Sequence, residues 1–223
     1  MKILKITLIA LVSSILMVLP SNAKEIRVGV AAAYTHVAAD GTETLKDSAV
    51  KSNTEASENA VIPSLFIELA MDNGFGIGVE HVPGSADINS ATRSRNNDNL
   101  GTNDSGTNKA SAEIDGLTSL YIIKSFESGL FFKAGQTSTT VNTNEVLSTG
   151  SKYKNVDIDG TVLGIGFGTT TDSGLFYRVS GEYTDYDDIS LTSQTADADT
   201  GATNKINATV DTTAFKVAIG KAF

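Results

Sequence analysis

One short pattern occurs three times and restricts the fold more than any other feature: Asp72-Asn73-Gly74-Phe75, Glu127-Ser128-Gly129-Leu130 and Asp172-Ser173-Gly174-Leu175. Each is an acid, a turn former, a glycine able to take a positive φ, and the apolar first residue of a new run. The segments on both sides alternate apolar and polar with period two, so each pattern reads as a tight hairpin turn. Between the turns lie long polar stretches, Ala38 to Asn59, Pro83 to Lys109, Thr137 to Lys154 and Asp187 to Ile206, rich in Asn, Asp, Ser, Thr and Gly. These read as loops. Three short turns alternating with four long loops require eight strands.

The strands are expected at Glu25 to Val37, Ala60 to Ala70, Phe75 to Val82, Ala110 to Lys124, Leu130 to Gln136, Asn155 to Gly168, Leu175 to Tyr186 and Asn207 to Phe223. In the first, Ile26, Val28, Val30, Ala32 and Tyr34 share one face and Arg27, Gly29, Ala31, Ala33 and Thr35 the other. The seventh and the last divide in the same way. Short turns at one end, long loops at the other and strands of about 9 to 11 residues fit an all-β, antiparallel, up-and-down transmembrane barrel.

The N-terminus agrees. Lys2 and Lys5 precede an apolar run from Ile6 to Leu19, then Pro20 and Ser21-Asn22-Ala23. That is the order of a cleavable signal peptide, and the run is short for a spanning helix. The division is therefore a leader over residues 1–23 and a barrel domain over 24–223. Cleavage removes two lysines and no acid, moving the formal charge from −9 to −11. So acidic a chain, without a basic stripe, is unsuited to nucleic acid. With no cysteine it has neither disulfides nor a thiolate site.

An internal repeat supports the hairpin reading. Glu113-Ile114-Asp115-Gly116 and Ser128-Gly129-Leu130-Phe131-Phe132-Lys133 recur as Asp157-Ile158-Asp159-Gly160 and Ser173-Gly174-Leu175-Phe176-Tyr177-Arg178. The offset grows by one residue between the blocks, near the place where apolar parity changes from Val156, Ile158 and Val162 to Leu163, Ile165 and Phe167. A β-bulge at Thr161 to Leu163 is expected, with a longer turn at Thr169 to Asp172 as the alternative.

Seven charged residues fall on the faces assigned to the interior: Arg27, Glu68, Glu80, Lys133, Arg178, Glu182 and Lys216. An eight-stranded barrel is only wide enough to be filled by its own side chains, so such charges must pair or be hydrated. A salt-bridged plug is expected, and rearrangement of its pairs would open a narrow path.

The turn and loop order, together with the last strand Thr213 to Phe223, resembles the small outer-membrane barrels typified by OmpA, OmpX and the opacity proteins. The resemblance spans the mature chain. It implies that Phe215, Val217, Ile219 and the terminal Phe223 form the signal read by the barrel assembly machinery. Lys221 departs from that pattern, Trp is absent, and Pro63 falls inside a strand, where it needs a bulge or a strand end. Tyr34, Tyr177, Tyr183, Phe75, Phe132 and Phe223 stand in for the interfacial aromatics. The expected setting is the outer membrane, with both termini periplasmic, long loops outside, outer-membrane lipid and lipopolysaccharide as surroundings, no cofactor and a monomeric state.

Other chemistry is thin. His36 and His81 sit near the loop ends of their strands on the lipid face, where barrel lipid-A-modifying enzymes place a histidine, but no nucleophile motif accompanies them. Gly164-Ile165-Gly166-Phe167-Gly168 lacks the spacing of a dinucleotide loop. Asp185, Asp187 and Asp188, and Asp197 and Asp199, lack the glycine and terminal Glu of a calcium loop. The sequence thus points to a non-enzymatic surface scaffold, with a narrow porin-like channel as the alternative and a rim enzyme behind both.

Overall fold

The computed structural model describes residues 23–44, 51–95, 106–146, 152–194 and 203–223. The expected leader lies outside them apart from Ala23. Ten strand segments make up the described chain: β1 (Ala23–Thr44), β2 (Lys51–Met71), β3 (Phe75–His81), β4 (Ser85–Arg95), β5 (Gly106–Ser125), β6 (Leu130–Val146), β7 (Val156–Thr170), β8 (Leu175–Tyr186), β9 (Ile189–Thr192) and β10 (Lys205–Ala222). No described residue is helical.

The ten segments build eight staves. β4 carries on along β5 where β3 stops, after a break at Val82-Pro83-Gly84, and β9 carries on along β10 after a break at Asp187-Asp188. Neighbouring staves run antiparallel in chain order, and β1 pairs with β10 to close the cylinder. Following the register from Glu68 through Gly78, Tyr121, Gly135, Val162, Thr184, Thr212 and Val37 leads back to β2 at Glu58, ten residues from the start. This stagger is what tilts the strands and sets a radius that side chains can fill.

The three short turns form as expected. Gly74, Gly129 and Gly174 have φ of 79°, 85° and 81°, which an L side chain avoids. Each of these glycines also accepts, through its carbonyl, an N–H from the next hairpin: Ser125 bonds Gly74, Gly168 bonds Gly129, and Ala222 bonds Gly174. The turns are thereby tied into one rim.

Four expectations need correction at the other end. Much of the four stretches read as loops is strand: β1 runs on to Thr44, β2 begins at Lys51, β6 continues to Val146, and β4 and β9 lie within the other two. Runs of Thr, Ser and Asn pair as well as apolar ones once a neighbouring strand supplies the ladder, so the wall extends well past the apolar zone. The middle of each stretch, residues 45–50, 96–105, 147–151 and 195–202, lies outside the described residues.

No bulge interrupts β7, whose register with β6 and with β8 is continuous through Thr161 to Leu163. The longer turn fails too, because Thr171 to Gly174 matches Phe126 to Gly129 in length. The irregularity is in the other copy of the repeat, on β5 between Asp115 and Thr118, where Gly116 has φ 67°. Pro63 needs no bulge. It faces Ala32 on β1 and lies beyond Leu65–His81, the last pair that β2 makes with β3, so on that edge the ladder has already ended.

The parity change on β7 has a different cause. Below Thr161, toward the turns, Leu163, Ile165 and Phe167 point outward and are exposed; above it Ile158 and Val156 point inward, as Val162 does just beneath it. The same switch occurs around the whole barrel at a belt of outward polar side chains, in which His36 bonds Asn59, His81 bonds Thr118 and Gln136 bonds Thr161. Below the belt the outer face carries Val28, Val30, Tyr34, Val61, Leu65, Phe75, Ile122, Phe132, Tyr177, Val179, Tyr183, Phe215, Val217 and Ile219, all exposed. Such a band suits hydrocarbon. Above the belt the apolar residues turn inward, as in a barrel surrounded by water.

Candidate functional site

Side chains fill the lumen. In its turn-side half the rings of Phe66 and Phe176 pack 5.7 Å apart with Ala31 and Ala218, beside Tyr121, Ile123 and Phe131. Inward glycines make room for these rings: a Cβ on Gly29 would stand 2.6 Å from Phe66, and one on Gly220 2.6 Å from Phe176. Gly166 does the same for Phe131, at 2.7 Å, so this glycine of the β7 run serves as packing space.

The structure brings all seven interior charges into ion pairs, in two groups. Glu68, fully buried on β2, accepts from Arg178 on β8 at 2.7 and 2.8 Å and from Arg27 on β1 at 3.1 Å. One level nearer the loops, Glu80 and Glu182 each accept from both Lys133 and Lys216. Lys133 reaches Glu80 at 2.9 Å and Glu182 at 3.1 Å, and Lys216 reaches each at 2.7 Å. Four side chains from β3, β6, β8 and β10 thus close a ring of alternating sign. Ser64 donates to Glu80 at 2.7 Å, and Tyr121 donates to Glu68 at 3.4 Å while its ring lies 4.5 Å from the Lys133 ammonium.

Sequence reasoning missed one member. Glu25 accepts from Arg27 at 2.8 Å, which brings the set to four carboxylates and four cations. The signal was available, since Glu25 and Arg27 are two residues apart on one strand and so share a face. A neutral cluster in a low-dielectric lumen satisfies the condition under which buried charges are tolerated.

Above the ring a cavity of about 80 Å³ is walled by Val37, Ile62, Val82, Leu117 and Val162, with Glu80, Glu182 and Lys216 beside it. On the turn side there remains a space of about 30 Å³. These volumes admit a few waters and nothing larger. Higher still, Val141, Ile158, Tyr186 and Ile189 cluster across the lumen with Leu117, Val156, Leu191, Ala208 and Val210 against them. Burial there pushes the Tyr186 hydroxyl up to about 12.

The residues of the C-terminal pattern, Phe215, Val217, Ile219 and Phe223, all face outward. Phe223 and Ile26 exchange backbone bonds at 2.9 and 3.1 Å, so the last residue is part of the seam that closes the barrel. Lys221, the departure from the pattern, donates to the carbonyl of Ser173 in the third turn, and Lys124 does the same for Asn73 in the first.

The remaining candidates do not assemble into a site. Nδ1 of His36 pairs with the Asn59 amide oxygen at 3.0 Å and that of His81 with the Thr118 hydroxyl at 2.9 Å; among the described residues neither bonds a carboxylate or a serine. Asp185, Asp187 and Asp188 are exposed, and no group of three carboxylates or histidines among the described residues could hold a metal. Asp197 and Asp199 lie outside the described residues.

No family model matches the chain, and no curated protein matches it. Solved structures do. The outer membrane protein OprG from Pseudomonas aeruginosa superposes with a TM-score of 0.58 at 10% identity, covering 91% of this chain and 97% of that one. Outer membrane protein AlkL, determined in DMPC lipid bilayers, gives 0.54 at 9% identity, with 91% of each chain covered. At such identities the likeness is one of fold: the chain is a closed, eight-stranded, antiparallel barrel built like those of outer-membrane proteins.

Proposed function

We propose that this barrel resides in the bacterial outer membrane as a non-catalytic scaffold, with its turns and both termini in the periplasm and its working surface in the wall and loops outside. The observation that carries this reading is the filled lumen. Eight charges in mutual ion pairs are interleaved with aromatic rings in the turn-side half of the lumen, an apolar cluster stands above them, and the cavities among them hold only a few waters. A barrel so packed has no standing aqueous path, while the outward band below the polar belt gives it a hydrocarbon-facing surface. The test is conductance of the refolded protein in a planar bilayer. Current at background supports the scaffold, and stepwise openings in the unaltered protein would overturn it.

One observation favours a second reading, a narrow channel that opens on demand. Because Glu80 and Glu182 each hold both lysines, either lysine can release one carboxylate and keep the other, so the ring can break without stranding a bare charge. Openings that occur only in bursts, and vanish when Lys133 is replaced by Met, would support it.

A further inference from the structure

The outer wall above the polar belt carries a groove of about 600 Å³ spanning β9, β10, β1 and β2, away from the lumen. Its floor is two rows of cross-strand neighbours. In the upper row Ser190 stands opposite Asn207, Asn207 opposite Thr42, and Thr42 opposite Asn53. In the lower row Asp40 stands opposite Glu55. The hydroxyls of Ser190 and Thr42 donate to the amide oxygens of Asn207 and Asn53, at 2.9 and 3.0 Å. With their oxygens so engaged, the two exposed amides keep their N–H groups as donors, two on each side chain, with carboxylate acceptors one row below.

A concave surface lined by amide donors and carboxylate acceptors, with no outward apolar side chain in its floor, is unsuited to an acyl chain and matched to a molecule that is itself both donor and acceptor at many points. Polyols have that character. The groove begins at Asp40 and Glu55, four residues on the loop side of His36 and Asn59 in the belt where the outer face ceases to be apolar, that is, above the headgroups of the surrounding leaflet and at the height of what covers them. Resting on the outer-membrane placement proposed above, we infer that this groove binds the core sugars of a neighbouring lipopolysaccharide, with Asn53 and Asn207 donating to sugar hydroxyls. Glu55 and Asp40 accept from others.

The test uses the full refolded barrel in detergent and three probes in isothermal titration: core oligosaccharide released from lipopolysaccharide by mild acid, lipid A vesicles, and dextran. Binding of the oligosaccharide, weakened at least tenfold in the Asn53→Ala/Asn207→Ala double variant, is expected, with lipid A binding equal in the two proteins. Ser190→Leu, which keeps both amides and fills the groove, is expected to weaken oligosaccharide binding as well. Either variant's folding is checked by its unboiled electrophoretic mobility. No oligosaccharide binding, equal binding by all three proteins, or dextran bound as tightly as the oligosaccharide would overturn the inference. Conductance plays no part in this readout, so a failed scaffold reading and a failed sugar site are told apart.

Discussion

Arg178 on β8 grips Glu68 on β2 with both terminal nitrogens, one to each carboxylate oxygen, at 2.7 and 2.8 Å across the lumen. Fork-to-fork pairing of this kind is the strongest ion pair two side chains can make, and here it lies where water does not reach Glu68.

Removing the charge from Glu68 leaves Arg27 and Arg178 facing each other without their shared anion. Glu68→Gln is expected to lower stability by about 3 to 5 kcal/mol, the usual cost of stranding a buried charge. The measurement is the urea midpoint of the refolded barrel in detergent, read from the loss of the unboiled band. A midpoint equal to that of the unaltered protein would mean the pair is hydrated and energetically idle.

Replacing Glu80 and Glu182 together with Ala converts the neutral ring into two unpaired lysines beside the upper cavity. Water should enter to solvate them, giving a pore lined by positive charge and selective for anions. Reversal potentials under a salt gradient read the sign. A silent double variant would show that the apolar upper cluster alone closes the lumen.

Gly78 faces the ring of Tyr121, and a Cβ there would stand 2.4 Å from it, whereas one on Gly181 would meet nothing within 4 Å. Gly78→Ala is therefore expected to push Tyr121 off both Glu68 and Lys133, costing about 1 to 3 kcal/mol. Gly181→Ala should leave the midpoint unchanged or raise it slightly, since alanine restricts the unfolded chain. Equal midpoints for the two variants would contradict the packing described.

Gly129 combines φ 85° with a would-be Cβ 2.7 Å from the carbonyl of Gly168, while Gly84 has φ 83° and open space. Gly84→Ala should cost about 1 to 2 kcal/mol from backbone strain alone. Gly129→Ala should cost more and slow refolding, because it also disturbs the bond between that turn and β7. Matching losses in both would assign the whole effect to φ.

Gly174 and Leu175 show what a linear sequence displays well. A positive-φ glycine before an apolar residue is a local matter, and all three such turns stand where the pattern puts them. Period-two alternation is equally local, so the inward side of each strand could be read, and with it the charges from Arg27 to Lys216. What lies far apart along the chain could not. Nothing near Thr137 to Val146 reveals that β6 continues there, because its partners are on β5 and β7. Val162 and Leu163 misled for a related reason. Adjacent apolar residues read as a broken register, when in fact the outer face of the wall changes from apolar to polar at that height and the apolar side chains move to the inner face. Glu25 is as legible as the rest, since two residues along one strand place it on the face of Arg27.

The ion pairs also bear on the order of assembly. Arg27 and Glu68 belong to one hairpin, and Lys216 meets Glu182 on an adjoining stave. The other contacts join Glu68 to Arg178, Glu80 to Lys133 and Lys216, and Lys133 to Glu182, groups 49 to 136 residues apart on staves that do not adjoin. Lys133 and Glu182 flank Gly164 in one row of three consecutive staves and can meet in an open sheet, but Glu68 reaches Arg178, and Glu80 reaches Lys216, only when the last edge meets the first. Those two contacts therefore reward the closing step itself, and the lock fastens from the inside.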